Sequence, residues 1–219
     1  LAKMIQAQGA VFGTYAEGAY TQFLQSGHPA LVTAQQFAGW TQKALSKKMI
    51  KEMNQLYGSF PGKYMATDDG KLAVARLQFG NVALLPQVMA GVGGDSFKIV
   101  HGTDQAPPYT YVASYLWARY GFSADALIHF GTHGSLEYTP RKQVALDSND
   151  WSDRLIGVVP HLYIYTIGNV GEAMIAKRRT YAQTQSYLTP PFKESELRQT
   201  YKQLSDAIQS YEKKASAEQ

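Results

Sequence analysis

The sequence predicts an α/β fold: a mostly parallel sheet flanked by helices, with a helical N-terminal part and a long C-terminal helix. Three observations predict it. Between Tyr109 and Tyr181, apolar runs of strand length alternate with helical patterns, which is the order of a parallel sheet with crossover helices. Before that alternation, apolar residues recur at near-helical spacing. After it, Leu197, Tyr201, Leu204, Ile208 and Tyr211 fall at steps of four and three, an apolar stripe on a helix. The implied organisation is a helical segment over 1–62, an α/β core over 63–192 and a C-terminal amphipathic helix over 193–219.

Taken in order, Thr33-Ala34-Gln35-Gln36 fits a capping box. It opens a helix that carries Phe37, Trp40, Leu45, Met49, Met53 and Leu56 and stops at Gly58. Pro61 and Gly62 break the chain. Leu72 to Phe79 alternates as a strand does, and Val82 to Leu85 reads as a second strand. Gly91 to Pro108 is rich in Gly, Asp and Pro and reads as loop. Pro107-Pro108 precede a helix over 109–120 that ends at Gly121. Ala126-Leu127-Ile128 is an apolar strand. Leu162 to Ile167 is β-branched and aromatic, a second core strand, with Asn169 in the turn after it. Gly171 to Tyr181 reads as a helix, and Pro190-Pro191 close the unit. The stripe in the tail suits packing within the domain, because about two heptads are short for a coiled coil.

Bulk properties exclude several classes. The chain has 219 residues, 45% of them hydrophobic, enough for one large domain or two small ones. Twenty-one Lys and Arg stand against 17 Asp and Glu, a net charge of +4, too small an excess to argue for a nucleic-acid partner. The absence of cysteine excludes disulfides, iron–sulfur clusters and thiolate zinc sites. No Walker motif is present, so no nucleotide is expected on this chain. The sequence has neither a signal peptide nor an apolar run of membrane-spanning length, which suggests a cytoplasmic location. The chain begins with Leu1, and the expectation is a piece of a longer protein whose other parts are free to carry an anchor.

The chemistry concentrates in His129-Phe130-Gly131-Thr132-His133-Gly134-Ser135-Leu136-Glu137. Two imidazoles and a carboxylate recur at four-residue steps, with glycines between them. The chain is expected to leave a buried strand, turn on the glycines and start a helix. That puts His129 at the strand's carboxyl end, where ligands of open α/β sheets sit, and His133 and Glu137 on one helical face. Borderline metals take such ligands, and a carboxylate that close can move protons. The plainer reading is a pair of core histidines satisfied by backbone carbonyls, but three ionisable groups at one turn are hard to explain as packing. The spacing is not that of a zincin peptidase, since Phe130 stands where its Glu would be. His161, between Pro160 and a strand, reads as a cap or packing residue. Lys177-Arg178-Arg179 is either a solvated helix face or a carboxylate-binding group. The 15 tyrosines suit a flat aromatic ligand, though ordinary packing explains them as well.

The stretch His129–Glu137 continues into Tyr138-Thr139-Pro140. With Asp153-Arg154-Leu155-Ile156-Gly157, Pro160-His161-Leu162-Tyr163-Ile164-Tyr165, Gly171–Arg179 and Tyr187-Leu188-Thr189-Pro190-Pro191, it resembles the family of the large chains of cobaltochelatase and magnesium chelatase. The resemblance runs from about Leu77 to Phe192. It implies a tetrapyrrole substrate, insertion of a divalent metal (Co²⁺, Fe²⁺ or Mg²⁺) and separate AAA+ ATPase subunits as partners. It implies that Glu137 is the essential acidic residue and that His129 and His133 flank it. His101, otherwise an ordinary loop residue, falls where related chains carry a histidine before a Pro-Pro pair and joins the metal ligands. Tyr138, Lys177, Arg178 and Arg179 are then expected to bind the macrocycle. Imidazole ligands favour Co²⁺ over Mg²⁺. The same site run in reverse would remove metal, and a non-catalytic tetrapyrrole- or metal-binding module is the competing class. Two positions depart from the family: Tyr138 stands for its Trp or Phe, and Arg141 for its Gly.

Overall fold

The computed structural model describes residues 27–88, 90, 105–131, 134–164, 170–185, 201–208 and 210–211. The chain divides into two compact units, 1–187 and 188–219. In the second, residues 201–208, 210 and 211 are helical, and Tyr201, Leu204, Ile208 and Tyr211 are exposed. No described helix is long and apolar enough to cross a membrane.

The first unit opens with β1 (Ala30–Val32) and two helices, α1 (Ala34–Ala44) and α2 (Lys47–Tyr57). The capping box is present: Thr33 Oγ1 accepts from the Gln36 amide at 3.2 Å, and the Gln36 side chain accepts from the Thr33 amide at 3.0 Å. The single helix expected over this stretch is two. Leu45 turns extended, and Ser46 begins the second helix by accepting from the Met49 amide at 3.3 Å while donating to Asn149 Oδ1 at 2.8 Å. A serine offered both a cap and a tertiary partner ends a helix rather than continuing it. Gly58 closes α2 at φ +77°, as expected of a glycine stop.

β2 (Leu72–Val74) pairs antiparallel with β1, and β3 (Leu77–Phe79) forms a hairpin with β4 (Val82–Leu84) around Gly80-Asn81. The strand expected over Leu72–Phe79 is therefore split at Ala75-Arg76. α3 (Tyr109–Leu116) is buried along nearly its whole length and runs into one π-helical turn, Trp117–Gly121. At Gly121 an added Cβ would lie 2.6 Å from the Trp117 ring. Phe37, Met49, Met53, Leu72, Tyr109, Tyr111, Leu116, Leu136, Trp151 and Leu155 share one apolar core.

The parallel sheet has the order β5 (Leu127–Phe130), β6 (His161–Ile164), β7 (Gln183–Gln185). Two crossovers connect it. The first contains a 3₁₀ turn (Leu136–Tyr138) and α4 (Trp151–Ile156), the second α5 (Val170–Thr180). This is the expected α/β class with a parallel sheet, joined by two antiparallel pairs. His129 pairs with Tyr163 and Leu127 with His161, while Tyr163 pairs with Thr184. Paired residues of a parallel ladder project to the same face, so Leu127, His129, His161 and Tyr163 share one.

Candidate active site

Glu137 is fully buried. The helix expected to carry it is a single 3₁₀ turn. Its Oε1 accepts from the Tyr163 hydroxyl at 2.9 Å and from the Gly134 amide at 3.1 Å. The same Gly134 N–H also donates to the Tyr163 oxygen. Among the described residues no hydrogen bond reaches Oε2. Burial pushes the carboxyl above the usual range; the hydrogen bonds from its own backbone, Tyr163 and Gly134 oppose that, and the nearby Glu172 charge adds to it. Gly134 is glycine because the chain passes directly over this group. An added Cβ would lie 2.6 Å and 2.8 Å from the two carboxylate oxygens and 2.7 Å from the Tyr163 ring.

Arg179 secures the turn from below. It is buried, and its Nη1 donates to the Glu137 carbonyl at 2.5 Å, its Nη2 to the Pro140 carbonyl at 3.3 Å. The guanidinium, expected from the sequence as a macrocycle contact, faces the main chain of the site here. Lys177 and Arg178 are exposed on the same helix. Tyr138 is half-buried beside Glu137. Arg141, where the family carries Gly, adopts φ +95°, a conformation that favours glycine, and its guanidinium is paired with Glu52 of α2.

His129 is half-buried, and both ring nitrogens are engaged. Nε2 lies 3.1 Å from the Tyr115 hydroxyl, and Nδ1 lies 3.1 Å from His161 Nε2. His161 Nδ1 in turn lies 3.1 Å from the Thr180 carbonyl oxygen. Burial, then the neighbouring His161, push His129 down to about 3, and burial lowers His161 as well, against its bond to Thr180. Both imidazoles are neutral at neutral pH. Tyr163 joins the two halves of the site: its ring meets that of His129 edge to face with centroids 5.7 Å apart, while its hydroxyl holds Glu137. From α3, Tyr111 is hydrogen-bonded to Ser135 at 3.2 Å and lies against Tyr115.

The structure thus brings Glu137 and His129 into one cluster. His133 and His101 lie outside the described residues, and among the described residues no three His, Asp or Glu gather to hold a metal ion. The sequence reading missed Tyr163, Tyr115 and Tyr111, and took His161 for a cap or packing residue. A signal was available. His161 and Tyr163 stand two apart on a strand and Tyr111 and Tyr115 four apart on a helix, spacings that place each pair on one face.

Fold and cluster together define an α/β domain that holds a buried carboxyl of raised proton affinity beside a hydrogen-bonded imidazole pair on two adjacent parallel strands. The chain belongs to the CobN/Magnesium Chelatase family, whose model matches residues 1–219, beyond the stretch that carries the resemblance in the sequence. It is 41% identical over 163 residues to the H-type magnesium-chelatase chain of Rhodobacter capsulatus, covering 74% of this chain and 13% of that protein. It is 39% identical over 128 residues to the aerobic cobaltochelatase protein CobN of Pseudomonas aeruginosa, covering 58% and 10%. The catalytic subunit of cobaltochelatase from Mycobacterium tuberculosis superposes with a TM-score of 0.67 at 26% identity, over 92% of this chain and 18% of that one. The chain spans about an eighth of the length of the Rhodobacter relative.

Proposed function

We propose that this chain is part of a chelatase that inserts a divalent metal ion into a corrinoid or porphyrin-type macrocycle, with Glu137 as the proton acceptor. The observation that carries this reading is the state of Glu137. It is a wholly buried carboxyl with one oxygen held by Tyr163 and Gly134 and the other without a hydrogen bond among the described residues, in a chain of this family.

Metal insertion has to strip water from the ion and remove two protons from pyrrole nitrogens. A carboxyl whose proton affinity is raised by burial takes such a proton more readily than a surface one. With Oε1 occupied by two donors, Oε2 is the oxygen that receives one of the two protons, and the other passes to water. His129, neutral at a strand end, offers an imidazole nitrogen to the incoming metal, and His133 and His101 complete the ligand set. Tyr138, Lys177 and Arg178 contact the macrocycle, the two cations through its peripheral carboxylates. Imidazole ligands favour Co²⁺ or Fe²⁺ over Mg²⁺, which prefers oxygen, and Co²⁺ is the preferred substrate. Separate AAA+ ATPase subunits supply the energy. In reverse, the same groups protonate the macrocycle and release its metal.

Replacing Glu137 by Gln in the full-length protein should lower metallation by about 10²–10⁴-fold while tetrapyrrole binding persists. Time-dependent metallation separates this reading from a module that only holds its ligand. Turnover unchanged by the substitution overturns the assignment of Glu137.

A further inference from the structure

We propose that His161 is a positioning residue that sets the tautomer of His129, turning the Nε2 lone pair rather than an N–H toward the metal substrate; the metal half of this rests on the chelatase reading above. The chain of contacts starts at a group that cannot change its role. The Thr180 carbonyl at the end of α5 only accepts, so His161 Nδ1, 3.1 Å away, carries its hydrogen. Thr180 is buried, and its hydroxyl is turned back onto the Ala176 carbonyl at 2.7 Å, which leaves this carbonyl as the acceptor facing the ring.

A neutral imidazole with hydrogen on Nδ1 has a lone pair on Nε2. His161 Nε2 faces His129 Nδ1 at 3.1 Å, and two lone pairs at that distance repel. His129 Nδ1 therefore donates. Its Nε2 is then the acceptor, and the Tyr115 hydroxyl at 3.1 Å donates to it. Gln87 Oε1 competes for the Tyr115 hydrogen at 3.4 Å, a longer and weaker contact. The opposite tautomer of His129 would need an added proton on the pair, and the partners of the two rings, the Tyr115 hydroxyl and the Thr180 carbonyl, include no carboxylate to balance its charge. Imidazoles that bind metals characteristically donate their other N–H to a fixed acceptor, which orients the ring and strengthens the ligating nitrogen. Here the acceptor is a second histidine, itself oriented by a helix-end carbonyl. Tyr115 occupies the ligating nitrogen and is the group the metal displaces.

The test is a two-bond ¹H–¹⁵N spectrum of the ¹⁵N-histidine-labelled chain, with His129 assigned by its loss in His129→Gln. His129 should show a pyrrole-type Nδ1 and a pyridine-type Nε2. His161→Leu should abolish that pattern, and His161→Gln, whose amide oxygen replaces the accepting nitrogen, should retain it. A pyrrole-type Nε2 in the unsubstituted chain overturns the proposal even if no variant folds, as does an unchanged pattern in folded His161→Leu. Neither readout needs metal or macrocycle, so their failure is distinct from failure of the chelatase reading. Calorimetry with Co²⁺ then tests the metal half. Affinity should fall about 10–100-fold in His161→Leu and recover in His161→Gln. Equal affinity in all three proteins overturns the link to metal.

Discussion

Glu137 and Asp147 lie ten residues apart, and their surroundings push them in opposite directions. Glu137 is wholly buried and retains its proton more strongly than usual. Asp147 is exposed, pairs with Lys142 Nζ at 2.7 Å and accepts from the Asn149 amide at 2.8 Å. Those partners, the Lys142 hydrogen bond first, pull it down to about 2. Each carboxyl accepts hydrogen bonds, Glu137 from Gly134 and from Tyr163 on β6, but only at Glu137 does desolvation outweigh them. Burial, not the number of hydrogen bonds, sets which carboxyl binds its proton more tightly: Asp147 pairs with Lys142 across an exposed loop, whereas the 134–138 turn holds a desolvated carboxyl.

The sharpest way to break this contrast, after Glu137→Gln itself, is Gly134→Ala. The added methyl would meet both carboxylate oxygens and the Tyr163 ring. Destabilisation of about 1–3 kcal/mol is expected, read as a lower urea midpoint. Tyr163→Phe is milder. It removes one of the two donors to Oε1, and a loss of about 1 kcal/mol is expected. With a stabilising bond to the charged form gone, the Glu137 carboxyl should titrate still higher, measurable by ¹³C-carboxyl chemical shift against pH.

His129 carries the same balance of burial against charge to an imidazole. Its folded value, about 3, lies below its ordinary value of 6.5. The unfolded chain therefore binds the extra proton, and stability present above about pH 6.5 should decline as pH falls toward 3. His129→Gln should flatten that part of the profile, and an equally steep profile would contradict the assignment. Asp147 supplies the smallest effect. Its contribution is present above its ordinary value of 3.8 and is lost as pH falls through about 2, and its exposure keeps it small. Asp147→Asn should leave the urea midpoint at pH 7 essentially unmoved, since an exposed pair is screened by solvent.

Local signals were readable in the chain. The Thr33 capping box, the Gly58 stop, the helix after Pro107-Pro108 and the two strands expected at 126–128 and 162–167, found at Leu127–Phe130 and His161–Ile164 with 165–167 outside the described residues, all depend on a few neighbouring residues. The break at Leu45-Ser46 was not legible, because Ser46 is held by Asn149, 103 residues away. Nor was β7, three polar residues, Gln183-Thr184-Gln185, that lack an apolar strand pattern and extend only because β6 offers a ladder.

The same division runs through the site. A glycine-rich turn after a strand, carrying Glu137 close after His129, is legible along the chain, since glycine spacing and apolar runs act within one or two turns of chain. What those groups meet comes from residues far away in sequence. Parallel pairing of β5 with β6 puts His161 32 residues on against His129, and Tyr163 26 residues on against Glu137. The end of α5 supplies the carbonyl that orients His161. A shift of register by one residue would turn His161 and Tyr163 to the other face. Register is a property of the packed sheet, not of any local stretch of residues.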